Sequence, residues 1–159
     1  MVAVIMGVAG AGKTTIGTML AKRLRWCFID ADDFHPQENR DKMASGIALS
    51  DEDRIPWLES INSYLVFHCC DQSGCVVACS ALKKRYRSII SRNSRTQFFC
   101  LSTKPQILQR RLEERTGHFF SPTLLQSQFD TLEISDDLTM IDCSQKPERI
   151  IERIVQSMT

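Results

Sequence analysis

Gly7-Val8-Ala9-Gly10-Ala11-Gly12-Lys13-Thr14 is the stretch whose reading decides the fold. It follows the apolar run Val2-Ala3-Val4-Ile5-Met6 and opens a helical stretch over residues 15–24. Gly-x-x-x-x-Gly-Lys-Thr between a strand and a helix is the spacing of a phosphate-binding P-loop. The glycines let the backbone turn tightly with its N–H groups facing inward, and the helix start adds a positive dipole end. Lys13 is expected to reach the β- and γ-phosphates of a nucleoside triphosphate, and the Thr14 hydroxyl to bind Mg²⁺. Gly7, Val8, Ala9, Gly10, Ala11, Gly12, Lys13, Thr14 and Thr15 are the expected nucleotide-binding residues. The loop specifies a phosphoryl donor and leaves the acceptor open.

Outward from the loop, apolar runs alternate with helical periodicity. Short runs at 2–6, 26–30, 75–79, 97–101 and 138–142 read as strands buried on both faces. Residues 36–45 read as a short polar helix with Pro36 at its first position and Gly46 as its stop. Ser50 with Asp51, Glu52 and Asp53 starts a longer helix running to about residue 70, with Ile55, Leu58, Ile61 and Leu65 at helical spacing. Further helices are expected after residue 80, from Pro105, over 124–129 and over 147–157. The alternation predicts a parallel sheet with helices on both faces, an α/β fold of the P-loop NTPase kind in three layers, α/β/α. Ligands of such sheets bind at the carboxyl ends of the strands.

The bulk properties narrow the class. A chain of 159 residues with 43% hydrophobic and 25% charged residues fits one domain with a real core, residues 1–159. A formal net charge of +1 asks for neither nucleic acid nor a membrane surface. The first apolar run is too short for a signal peptide or a span. Seven cysteines, an odd count without paired Cys-x-x-Cys halves, read as free thiols in a reducing compartment.

Chemistry needs an acid near Mg²⁺, and the strand at 75–79 ends in Ser80 and Ala81 with no carboxylate. The strand at 26–30 ends in Asp30-Ala31-Asp32, whose alternating side chains share one side. One of these acids is expected at Mg²⁺ and the other at the proton of an acceptor hydroxyl. His35 follows on the same loop, on the substrate side. Arg54 is the expected contact for an anionic acceptor, ahead of Arg40 and Lys42. Lys83, Lys84 and Arg87 follow the third strand, where a helix N-terminus suits a carboxylate or phosphate. Arg111 and Arg115 share a helix face, and Gly117-His118-Phe119-Phe120 after them reads as the hinge of a mobile lid over about 115–133.

Two rival classes compete. A GTP-binding switch would use Asp71-Gln72-Ser73-Gly74, but this stretch precedes its strand instead of following it, and no Asn-Lys-x-Asp signature is present. A nucleotide-binding module without catalysis would bind ATP and turn over nothing.

Several blocks together are more specific than the P-loop. They are Asp30-Ala31-Asp32-Asp33-Phe34-His35-Pro36-Gln37-Glu38-Asn39, Lys42-Met43-Ala44-Ser45-Gly46, Asp51-Glu52-Asp53-Arg54-Ile55-Pro56-Trp57-Leu58, Cys79-Ser80-Ala81-Leu82-Lys83-Lys84-Arg85-Tyr86-Arg87, and Gly117-His118-Phe119 with Leu124-Leu125-Gln126-Ser127-Gln128-Phe129-Asp130-Thr131-Leu132-Glu133. In this order they resemble the gluconokinases of the small P-loop type, from the first strand to the last helix. The resemblance implies parallel strands ordered 2-3-1-4-5, as in shikimate kinases. It implies ATP- and Mg²⁺-dependent phosphorylation of D-gluconate at the 6-hydroxyl, in a cytoplasmic homodimer serving gluconate catabolism. By the same resemblance Asp30 and Asp32 divide metal and acceptor duties. Arg111 and Pro147 sandwich adenine, Arg115 is the lid arginine, and Lys83, Arg87 and His118 join Asp32, His35 and Arg54 at the substrate. Shikimate kinases carry a Gly-rich stretch after the third strand, where this chain has Ser80-Ala81-Leu82-Lys83-Lys84.

Overall fold

Strand β1 (Val2–Met6) lies at the centre of a parallel sheet and is buried along its whole length. The computed structural model describes residues 1–68, 74–114 and 124–158. β1 pairs with β3 (Cys75–Ala78) on one side and β4 (Thr96–Ser102) on the other. β2 (Cys27–Asp30) and β5 (Leu138–Asp142) close the two edges, so the order is β2-β3-β1-β4-β5, as expected. A strand buried on both faces cannot alternate polar and apolar residues, which is why β1 reads Val-Ala-Val-Ile-Met.

Side-chain alternation splits β1 between two cores. Ala3 and Ile5 face α1 (Lys13–Leu24), α5 (Pro105–Glu113) and α7 (Pro147–Ser157), packing with Leu20, Leu108 and Ile154. Val2, Val4 and Met6 face α3 (Asp51–His68) and α4 (Lys84–Ser91), packing with Leu58, Ile61 and Ile90. The result is the expected three-layer α/β/α arrangement. Each of these Val, Leu, Ile and Met side chains contributes roughly 1.5–3 kcal/mol by leaving water.

Local sequence explains the helix starts. Ser50 and Asp53 cap α3 reciprocally: the Ser50 N–H donates to Asp53 Oδ2 at 2.9 Å and the Asp53 N–H to Ser50 Oγ at 3.2 Å. Pro105 and Pro147 occupy the first turns of α5 and α7, where a missing N–H costs nothing. The polar helix α2 (Gln37–Ala44) begins one residue later than expected, with Pro36 as its cap. A further helix, α6, spans Leu124–Thr131. Of the expected lid, residues 115–123 lie outside the described residues, as do Cys69 and Cys70. Cys75, Cys79, Cys100 and Cys143 are buried and Cys27 is exposed, and none of the five is joined to another by a disulfide. Burial pushes the Cys79 thiol up to about 12 and the Cys100 thiol up to about 11. Among the described residues, no helix is long and apolar enough to cross a membrane.

The connection from β3 to α4 departs from expectation. Ala81, itself fully buried, takes a left-handed conformation, φ 44°. That backbone region suits glycine. The loop is held there by Arg87, which is 1% exposed. Its Nη1 donates to the Ala81 and Leu82 carbonyls, each at 3.1 Å, and its Nη2 to the Glu133 carbonyl at 3.1 Å and Ser135 Oγ at 2.7 Å. Its Nε meets Asp137 Oδ2 at 2.6 Å. Arg87, expected at the substrate, is buried and engaged in these contacts, which fasten the loop after β3 to the segment after α6. The start of α4 is likewise taken, because Glu133 Oε2 accepts the Lys84 N–H at 2.7 Å. Arg87→Met is expected to lower the unfolding free energy by about 3 kcal/mol, since it strands Asp137 and three carbonyls. Urea titration of the two proteins measures the difference.

Candidate active site

The central position of β1 delivers the loop after it to the carboxyl edge of the sheet. Gly7 has φ 137°, and a Cβ there would stand 2.6 Å from the Leu101 carbonyl oxygen, so only glycine fits against β4. Gly12, φ 94°, ends the loop and hands it to α1. Val8, Ala9 and Ala11 are buried walls. Lys13 Nζ lies over the loop and donates to the Val8 carbonyl at 3.0 Å.

The two acids after β2 take different places. Asp30 Oδ2 accepts the Thr14 hydroxyl at 2.7 Å, and Asp30 Oδ1 accepts the Asp32 N–H at 3.1 Å. Thr14 and Asp30 thus form one pair of oxygen donors, the set that suits Mg²⁺. Asp30 also caps a 3₁₀ turn, Ala31–Phe34, that carries Asp32 into the adjacent cavity. The Asp32 side chain is 64% exposed, yet desolvation in the concave site raises its pKa; Lys13 opposes this, Asp30 and Asp33 add to it, and Arg40 opposes it. A raised pKa makes the carboxylate a stronger acceptor for a hydroxyl proton.

One cavity brings together Lys13, Thr14, Asp30, Asp32, His35 and Arg54. Its floor is the end of β3, Ala78 and Ser80, and its apolar wall is Met43, Ile47, Leu49 and Trp57. His35 is buried and stacked on Trp57, with ring centroids 4.0 Å apart and planes 18° apart. Trp57 is fixed in turn by its Nε1–H donating to the Ala31 carbonyl at 2.6 Å. Burial, with Arg54 and Arg40 assisting, pushes His35 down to about 4, so its imidazole is neutral at pH 7.

Arg54 is half-buried, and its Nη1 donates to the neutral Tyr86 hydroxyl at 3.3 Å. Among the described residues, no carboxylate pairs with it, so it presents positive charge to the cavity. Lys83 differs. Its Nζ is 2.8 Å from Asp51 Oδ1, and Asp51 also accepts from Arg85 and the Tyr86 hydroxyl. Those hydrogen bonds, Lys83's first, hold Asp51 down at about 2. Lys83, expected at the substrate, is paired with Asp51 and is not among the residues that line the cavity.

On the other side of the loop a second hollow joins Thr15, Arg111 and Pro147. Arg111 Nη2 is held by the Cys143 carbonyl at 2.9 Å. This places the expected adenine pair beside Gly10 and Gly12, opposite the acid-lined cavity. Arg115 and His118 lie outside the described residues. Gln128 of α6 reaches the P-loop, although nothing in its spacing marks it: its Oε1 accepts the Ala9 N–H at 2.6 Å. Tyr86, Trp57 and Asn39 contact Arg54, Ala31 and His35, and nothing in their spacing distinguishes them from core or surface residues.

A donor loop between a base-sized hollow and an acid-lined cavity defines a small P-loop phosphotransferase. Residues 9–159 match the family model described as shikimate kinase. A gluconokinase of Arabidopsis thaliana is 44% identical, with 96% of this chain and 89% of the relative covered. The thermosensitive gluconokinase of Escherichia coli (strain K12) is 41% identical, with 98% and 86% covered. The crystal structure of a gluconokinase from Sinorhizobium meliloti 1021 superposes with a TM-score of 0.85 at 36% identity, over 97% of this chain and 89% of that one. An unliganded sugar kinase from Janibacter sp. HTCC2649 superposes with a TM-score of 0.92 at 38% identity, over 98% and 92%. The chain belongs to the gluconokinase family of shikimate kinase-like enzymes.

The buried neutral imidazole has a consequence for stability. The His35 pKa is lower in the folded chain than the ordinary 6.5, so between pH 6.5 and about 4 the unfolded chain binds the extra proton. Stability is complete above pH 6.5 and falls on acidification, by up to about 1.4 kcal/mol per pH unit from this group. Denaturant midpoints of the chain and of His35→Gln, compared between pH 7 and 4.5, are expected to converge as the pH falls.

Proposed function

We propose that this chain transfers the γ-phosphoryl group of ATP to the 6-hydroxyl of D-gluconate, giving 6-phospho-D-gluconate and ADP. The observation that carries the reading is Arg54, which no described carboxylate neutralises, in one cavity with Asp32 and Lys13. A sugar acid offers a carboxylate for Arg54 and hydroxyls for Asp32 and His35. The names of the relatives point to the same acceptor.

Each residue then has a task. The loop amides from Gly7 to Thr14 and the Lys13 ammonium hold the phosphates, with Arg111 and Pro147 at the adenine. Thr14 and Asp30 would hold Mg²⁺ through hard oxygen atoms. Bound there, the metal neutralises charge on the phosphates. Asp32 accepts the proton as the O6–H bond breaks. The sugar oxygen forms its bond to the γ-phosphorus, and the bond from phosphorus to the β-phosphate oxygen breaks with ADP leaving. The protein contributes mainly position and charge. Residues 1–159 act as one catalytic unit, in keeping with their length, and a homodimer in the cytoplasm follows from the family resemblance.

The acceptor panel is the deciding measurement. ADP release with ATP and Mg²⁺ should be strong with D-gluconate and weak with shikimate or nucleoside monophosphates. A preference for either of the latter overturns the acceptor and leaves the donor side standing, and ATP binding without turnover of any sugar acid supports the binding-module class. Asp32→Asn should lower kcat by about 10²-fold or more with ATP affinity kept, as measured by steady-state kinetics and nucleotide titration.

A further inference from the structure

Asn39 lies on α2 and is 3% exposed. Its side chain is absent from any account of phosphate or acceptor contacts, yet two hydrogen bonds fix it. Nδ2 donates to the Asp53 carbonyl at 2.9 Å and stands 3.3 Å from His35 Nδ1. A backbone carbonyl can only accept, so the Asp53 contact determines which end of the carboxamide is the NH₂. The second hydrogen of that NH₂ then points to His35 Nδ1, which must accept it. A neutral imidazole that accepts at Nδ1 carries its proton on Nε2.

We propose that Asn39 is a positioning residue that locks His35 in the Nε2–H tautomer, making His35 a hydrogen-bond donor to the acceptor substrate. The proposal rests on the reading of this cavity as the sugar-acid site. The surroundings restrain the ring. Stacking on Trp57 fixes the ring plane. The Arg40 Nε–H donates to the His35 carbonyl at 3.1 Å, and Arg40 Nη2 to the Asp33 carbonyl at 2.9 Å, which pins the backbone on both sides. Nε2 then lies 3.9 Å from Asp32 Oδ1, at the cavity.

This arrangement sets a donor beside an acceptor. A hydroxyl both gives and takes a hydrogen bond, so a polyol chain meets both groups at once: Asp32 takes a proton and His35 Nε2–H binds a lone pair. A methyl or methylene in the same place would leave both groups unpaired, which is the costly kind of mismatch. The locked tautomer also removes His35 from the list of general bases. Its cavity-facing nitrogen already holds a proton, which leaves Asp32 as the base.

Long-range ¹H–¹⁵N spectra of the labelled chain at neutral pH test the assignment, with His35→Gln identifying the His35 signals. The expected pattern is an unprotonated Nδ1 and a protonated Nε2, with the Nε2 signal shifting on addition of D-gluconate. A proton on Nδ1, an even mixture of tautomers, or an Nε2 signal indifferent to gluconate overturns the proposal. Asn39→Asp offers a carboxylate to Nδ1 and should move the proton there. It should lower kcat/KM for gluconate by about 10–100-fold with KM for ATP unchanged. Lost activity without a tautomer change would make Asn39 merely structural, and a moved proton with full kcat/KM would remove His35 from substrate recognition; either result overturns the proposal. If Asn39→Asp fails to fold, the spectra of the unsubstituted chain still decide. A chain that shows the expected tautomer but phosphorylates no gluconate refutes the acceptor reading, not the tautomer.

Discussion

The hydrogen bond from Thr14 to Asp30 is the constraint on which the site depends. The two residues follow strands that are not neighbours, because β3 runs between β1 and β2. They meet across the tip of β3, whose last residue, Ala78, pairs in register with Ile5 of β1 and Asp30 of β2. Ala78 and Ser80 line the cavity at that point. Asp30 then uses its second oxygen to hold the turn that carries Asp32. One carboxylate therefore both completes a metal-suited oxygen pair and sets the position of the base.

Charge is distributed so that few groups remain for a ligand. Asp51 collects Lys83, Arg85 and the Tyr86 hydroxyl, and Tyr86 then holds Arg54 by a neutral contact. Arg54 thus keeps its charge for an anion while its geometry is restrained. Arg87 is consumed in fastening two loops, a role that burial makes expensive to disturb. Positive residues close in sequence have separate fates because each is matched, or not, to a carboxylate from elsewhere in the chain.

The block Ser-Gln-Phe-Asp-Thr-Leu-Glu, among the most specific features of the sequence, acquires a physical meaning from these contacts. Gln128 grips the Ala9 N–H, and Glu133 takes the first N–H of α4. Both side chains tie the segment from α6 onward to loops at the carboxyl edge of the sheet. They act across 119 and 49 positions of sequence, so no local pattern shows them. Ala81 is a comparable case. Its identity gives no hint of a positive φ, which is imposed by the carbonyls that Arg87 gathers.

Resemblance and local pattern together settled the donor loop, the strand sequence, the acids after β2 and the family. These are legible because each rests on short-range rules: glycines where the backbone must turn, β-branched runs where strands are buried, a carboxylate at a strand end. The strand order came from the family, and the sheet agrees with it. Tertiary structure alone decided which charged residues face the cavity. Lys83 pairs with Asp51 and Arg87 with Asp137, Gln128 reaches the P-loop, Asn39 sits behind His35, and Asp30 and Asp32 take separate places. The physical reason is that a side chain's duty depends on the partner it meets. For these residues the partner lies on another element, brought near only when the sheet closes.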